Sequence, residues 1–191
     1  MVQLPESEFI LNMLKRDLAS DLYYHTVGHT LDVYEMAALF AERENITEAD
    51  KKLLLIAALY HDSGYLHQRD DHEHRSCEIV RGVLPGFDYS QNDIEKICQI
   101  IMATKLPQQP HSLLEQIICD ADLDYLGRDD FFEIGNRLYR EMQAVGRIDN
   151  EDDWNKIQID FLQKHHYFTN VAKTLRNTKK AENLNILLSK L

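Results

Sequence analysis

The sequence predicts an all-α protein, and three observations carry that prediction. Apolar residues recur with a period near 3.6 along nearly the whole chain, and no stretch alternates as a half-buried strand would. Glycine and proline are scarce, 7 and 4 among 191 residues, which disfavours the many tight turns of an all-β fold. Helix-start signatures also recur: Thr47 with Asp50, Ser90 ahead of an apolar run, and Ser112 with Glu115 as a full capping box. A chain this long buries roughly 70% of its unfolded surface, enough for one self-sufficient core.

The elements follow in order. A first helix is expected over about Glu6–Leu18 and a second from near His25 to Glu44. The third begins at Thr47 and stops before Gly64. Its centre, Leu53–Leu59, is seven consecutive apolar residues, the mark of a buried central helix. A polar loop over Ser63–Asp71 leads into a helix over His72–Leu84, which Pro85-Gly86 ends. Ser90 opens a helix to about Thr104, and the segment LPQQPH breaks it. The Ser112 helix is expected to reach Leu126, with Gly127 as its C-cap. Three more helical stretches lie near Asp130–Val145, Asp152–His165 and Thr169–Leu191. No linker, repeat or low-complexity segment divides them, so residues 1–191 read as a single domain.

Charge and cysteine usage exclude several classes of function. Lys plus Arg is 21 against 32 Asp plus Glu, a net charge of −11, and such a surface repels nucleic-acid polymers and anionic lipid. A small phosphorylated ligand then needs a local positive centre, such as a metal ion. No run approaches the ~18 apolar residues of a membrane span. The opening MVQLPESEF has no basic or apolar signal region, so a cytoplasmic protein is expected. Cys77, Cys98 and Cys119 sit in apolar helical patterns without a C-x-x-C pair and read as buried, reduced thiols. His111, His165 and His166 read as surface residues, and Arg69-Asp70-Asp71 as a solvated loop.

The informative feature is where certain His and Asp residues fall. His29 shares a helical stripe with Val33, Met36 and Phe40, and Asp122 lies four residues after Ile118 on the stripe from Leu114 to Leu126. His61 and Asp62 close the most apolar helix of the chain. A lone buried carboxylate costs several kcal/mol, and a divalent cation removes that cost by taking imidazole and carboxylate as ligands. Three helices supplying such groups point to a metal site.

The order His29 … His61-Asp62 … Asp122 resembles the H…HD…D signature of the HD superfamily of metal-dependent phosphohydrolases. The resemblance extends to YHTVGHTLDV, AALYHDSGY, HEHRSCEIV and CDADLDYLGRDDF, and covers about Tyr24 to Glu141. It implies an HD-domain helical bundle with the metal between core helices, a core of about 24–141, and C-terminal helices 142–191 packed on it. His29, His61, Asp62 and Asp122 would be the metal ligands, with Asp122 chosen over Asp120. Asp124 is read as a solvent-facing neighbour or a support, and His25 as a supporting group or simply the helix start. Asp62, Glu73 and His72 are the catalytic candidates, and His67 and His74 have no match. Two-metal relatives place a His on the next helix, where this chain reads ATKLPQ with Lys105, so one divalent ion per chain (Mn, Fe, Co, Ni, Zn or Mg) is expected.

Such an ion keeps positions open for water and a phosphate oxygen, brings the water's pKa toward neutrality and polarises phosphorus. The resemblance therefore implies hydrolysis of a phosphate ester of a nucleotide or another small molecule. Lys105, Arg75 and Arg128 are the basic candidates for gripping phosphate. The alternative is a catalytically silent HD module that binds a nucleotide as a sensor. A third reading, a two-iron oxygenase, fits poorly with Lys105. The oligomeric state is left open, a homodimer included.

Overall fold

A computed structural model describes residues 4–190. Met1–Gln3 of the opening stretch and Leu191, the expected end of the last helix, lie outside the described residues. Among those residues nine α-helices and three short 3-10 turns form the fold, with no strand.

Helix α1 spans Pro5–Asp17, α2 Val27–Arg43 and α3 Glu48–Tyr60. Helix α4 covers His72–Val83, α5 Gln91–Met102 and α6 Leu113–Asp122. The C-terminal part contributes α7 Phe131–Ala144, α8 Glu151–Lys164 and α9 Asn170–Leu188. The expected caps are in place. The side chains of Thr47, Ser90 and Ser112 accept the backbone N–H of Asp50, Asp93 and Glu115. Each satisfies a donor that the first helical turn would otherwise leave orphaned.

Helix α3 is central, as its apolar run requires: Leu53, Leu54 and Ile56 to Tyr60 are all buried, and α1, α2, α5 and α6 pack around it. The three cysteines are free and buried in this core. A second cluster, including Tyr125, Phe131, Ile159, Leu162 and Leu187, joins the segment after α6 to α7, α8 and α9. Tyr125, Phe131 and Phe132 of DYLGRDDFF pack there.

Two boundaries differ from expectation. Helix α2 starts at Val27, because Thr26 is extended and its side chain caps the helix; His25 therefore lies ahead of it. Helix α6 ends at Asp122, and Asp124–Gly127 is a separate 3-10 turn that carries Leu126. Gly127 is not a left-handed cap, since Gly146 is the glycine with positive φ among the described residues. Close approach requires it instead: a Cβ there would lie 2.6 Å from the Arg176 carbonyl oxygen on α9.

Candidate metal centre

Four side chains meet at the junction of α2, α3 and α6. His29 stands in the first turn of α2, His61 and Asp62 follow α3 directly, and Asp122 is the last residue of α6. His29 Nε2 lies 3.1 Å from Asp122 Oδ1 and 3.4 Å from Asp62 Oδ2. His61 Nε2 lies 3.2 Å from Asp62 Oδ2 and 3.6 Å from Asp122 Oδ1. Ligand atoms of His29, His61 and Asp122 all fall within 4.8 Å of one another, a spacing that can hold a metal ion.

The hydrogen bonding is what distinguishes this cluster from an ordinary polar core. The His61 Nδ1–H donates to the Ala58 carbonyl at 2.8 Å, which directs Nε2 toward the carboxylates. Yet His29 Nε2, His61 Nε2 and Asp62 Oδ2 are buried and lack any hydrogen-bond partner. Buried polar atoms are normally paired, and three orphans converging on one point form a cluster that could hold a cation. Electrostatics agree. Burial opposes charge on Asp122, but His29 and His61 outweigh it and hold the carboxyl down to about 2. Burial also opposes charge on Asp62, and His61 and His72 still keep it well below the usual carboxylate range.

The other Asp62 oxygen serves a neighbouring group. His72 Nε2 lies 3.3 Å from Asp62 Oδ1 and 3.6 Å from Glu73 Oε1, while its Nδ1–H donates to the Arg69 carbonyl at 3.1 Å. A tight junction sets this arrangement. The Gly64 N–H donates to Ser76 Oγ at 2.8 Å, and that hydroxyl donates to the His61 carbonyl at 2.6 Å. The start of α4 is thereby docked on the His61-Asp62 turn.

Asp62, His72 and Asp122 open onto a cavity of about 450 Å³. Lys105 and Glu73 also line it, with Lys105 paired to Asp71 at the rim. Arg75 and Arg128 do not line it, contrary to their reading as phosphate ligands. Arg75 points to solvent, where Glu78 on the same helix face and Gln68 engage it. Arg128 is held by Asp32 at 2.8 Å and Asp130 at 2.6 Å, with Asp124 3.6 Å away. Asp124 is itself buried and bonded to Arg176 at 2.6 Å, not solvent-facing. His165 is not a surface residue either: both ring nitrogens are buried, between Phe161 and Tyr167. Asp120 turns away from the cluster and accepts the N–H groups of Phe168 and Thr169 at 2.7 and 2.8 Å.

Two wall residues, Tyr65 and Glu141, escaped sequence reasoning, and both contact His25. The His25 imidazole contacts Glu141 Oε1 at 2.5 Å and Tyr65 Oη at 3.0 Å, and the Tyr65 ring packs at a tilt against His72. Arg69, read as solvated, pairs with Asp21 at 2.8 Å and lies 3.7 Å from Glu141. A signal for Glu141 was present. It follows Phe131, Ile134 and Leu138 on one stripe of α7, the criterion that singled out Asp122.

The family model described as HD domain matches residues 26–124, more than half of the chain. Three solved structures share the fold across 100% of this chain. A predicted HD superfamily hydrolase from an uncultured Thermotogales bacterium is 22% identical, with TM-score 0.67 and 95% of its own length covered. Bacillus subtilis YpgQ, solved in complex with ADP, is 20% identical, with TM-score 0.66 and 97% covered. A Lactobacillus plantarum protein is 18% identical, with TM-score 0.71 and 98% covered. No curated protein matches the sequence. The matched residues contain all four members of the cluster, and this chain belongs to the HD domain family.

Proposed function

We propose that the protein is a metal-dependent phosphohydrolase acting on a nucleotide or another small phosphate ester. The observation that carries this reading is the convergence of three orphaned buried atoms, on His29, His61 and Asp62, beside Asp122 Oδ1. These four residues would hold one divalent ion, of the Mn, Fe, Co, Ni, Zn and Mg group. When bound, such an ion supplies Lewis-acid activation of the phosphoryl group and of water. A nucleotide is favoured because a structural neighbour, YpgQ, was solved with ADP.

The chain's own residues divide the remaining work. Asp62 orients the attacking water through its cavity-facing carboxylate. The Nε2 of His72, with Glu73 3.6 Å away, takes or returns the proton as general base or acid. Lys105 at the rim exchanges its Asp71 partner for a substrate phosphate, offsetting the repulsion of an acidic protein for an anion.

Elemental analysis of purified protein is expected to give about one divalent metal per chain, following the single cluster described above. A panel of nucleotides and p-nitrophenyl phosphate, assayed with Mn²⁺, should be hydrolysed by wild type. Asp62→Ala and His61→Ala should abolish turnover while the helical signal survives. Tight nucleotide binding with no turnover at any metal would assign the chain to a sensing role instead.

A further inference from the structure

The cavity is larger than a phosphate requires, and the part of its wall supplied by α7 and α8 is mostly apolar. Beyond the metal cluster its walls are Phe131, Leu138, Met142, Trp154, Ile157 and Phe161, all from α7 and α8. None of these residues falls within the matched residues 26–124, so this chamber is not supplied by the family segment. Two polar side chains of α7 and α8 line it as well, Glu141, which His25 engages, and Gln158. Gln158 is only 9% exposed. Its amide nitrogen has one long contact, 3.4 Å to Asn155 Oδ1, and no donor reaches its Oε1 among the described residues. Helix α7 makes room for this carboxamide at Gly135, where a Cβ would come within 2.8 Å of Oε1.

We propose that Gln158 is a specificity-determining residue that reads the donor–acceptor edge of a nucleobase held among the aromatic walls of this chamber. The proposal rests on the phosphohydrolase reading only for the direction of the ligand, with phosphate toward Asp62 and ring toward α7 and α8. The total space, about 450 Å³, falls within the usual range for small-molecule sites and admits a base or an alkyl chain alike. Two features favour a flat heterocycle. The lining is aromatic at Phe131, Trp154 and Phe161, each ring stacked against Tyr125, Tyr139 and His165 respectively, so a base would meet a rigid aromatic wall. An alkyl chain would also strip water from the Gln158 carboxamide and return no hydrogen bond, whereas a base edge satisfies a donor and an acceptor together.

Trp154 is the single tryptophan of the chain, so its fluorescence reports occupancy of this chamber directly. The full-length, Mn²⁺-loaded protein is titrated with the 5′-phosphonates of the four common nucleosides and with octylphosphonate. Their C–P bonds resist hydrolysis, and binding is read without turnover. At least one nucleoside phosphonate should change the Trp154 signal and bind about tenfold tighter than octylphosphonate, as expected for two hydrogen bonds to a buried amide. Gln158→Leu should remove that tenfold preference and leave octylphosphonate binding equal or stronger. Gln158→Glu, which keeps the shape and removes the amide donor, should lower nucleoside affinity in the same direction if the Leu variant does not fold. Octylphosphonate binding as tightly as every nucleoside phosphonate overturns the proposal. So does nucleoside affinity within twofold of wild type in either folded variant. The hydrolysis panel stands apart: no turnover with an intact Trp154 response refutes the phosphohydrolase reading and leaves the base site standing.

Discussion

His61 is buried to 1% exposure, yet its imidazole faces two carboxylates. Burial disfavours the imidazolium, but Asp62 and Asp122 outweigh it and raise the His61 pKa well above its ordinary value. In the ion-free protein His61 therefore keeps its proton at pH values where a free imidazole has lost it. A metal must displace that proton, so affinity should rise with pH across the neutral range and fall in acid. Calorimetric titration with Mn²⁺ at several pH values should show this slope together with proton release. A second buried charge makes a stability prediction. Asp124, 1% exposed, is neutralised chiefly by Arg176, with bonds of 2.6 and 3.0 Å. Removing one partner of a buried pair typically costs about 3–5 kcal/mol. Arg176→Met should fall at the lower end of that range, because Arg128 lies 3.6 Å from the same carboxylate. The double variant Asp124→Asn, Arg176→Met should recover most of the loss in chemical denaturation.

The junction of the His61-Asp62 turn with α4 has no slack. A Cβ on Gly64 would sit 1.9 Å from the His72 carbonyl oxygen, a backbone atom that cannot rotate away. Gly64→Ala should displace the start of α4, cost about 2 kcal/mol or more as overpacking does, and lower activity through His72. Thermal unfolding and the hydrolysis panel check both parts. Lys105 lies on the segment after α5, away from the orphaned atoms and paired with Asp71. Lys105→Ala should raise KM several-fold with the metal content unchanged, and loss of metal in this variant would contradict its placement at the rim. At this level sequence reasoning was strongest. Side-chain caps are local contacts three residues apart, so Thr47, Ser90 and Ser112 declare the starts of α3, α5 and α6 without reference to the rest of the chain. The end of α6 was harder to read. Its apolar stripe runs on to Leu126, but the close passage of α9 over Gly127 goes with a tighter turn.

Two apolar clusters hold the molecule together, one around α3 and one joining α7, α8 and α9 to the end of α6. His165 follows α8 directly, and its packing yields a prediction for the protein as a unit. Burial, with help from Lys180 and His166, pulls its pKa down to about 3. The unfolded chain takes up a proton near the ordinary value of ~6.5, while the folded protein does not. The folded state therefore has its full advantage above pH ~6.5 and loses it as pH falls toward about 3. The loss is at most about 1.4 kcal/mol per pH unit. Between pH 6.5 and 5, where most carboxylates remain charged, His165→Phe should flatten the fall in stability measured by urea unfolding. An unchanged slope would mean that His165 takes its proton in the folded protein.

The helical class, most helix starts, the buried centre of α3 and the inward set of His29, His61, Asp62 and Asp122 were legible from sequence. Each depends on period, on spacing within a turn or two, or on a polar group placed in an apolar stripe, and these are properties of short segments. The cation partners were not legible. Arg75, Arg128 and Lys105 look alike as letters. Arg75 and Arg128 have close neighbours in sequence, Glu78 and Asp130, but only packing between distant segments added Asp32 to Arg128 and placed Lys105 beside Asp71 at the cavity rim. His25 and Glu141 lie 116 residues apart and meet only because α7 folds back against the segment ahead of α2. The chamber around Gln158 depends in the same way on two C-terminal helices closing over the turn that follows Asp122. Local chemistry names which side chains can bind a metal or a phosphate, whereas long-range packing decides which of them share a cavity, because that choice depends on contacts between segments with no local relation.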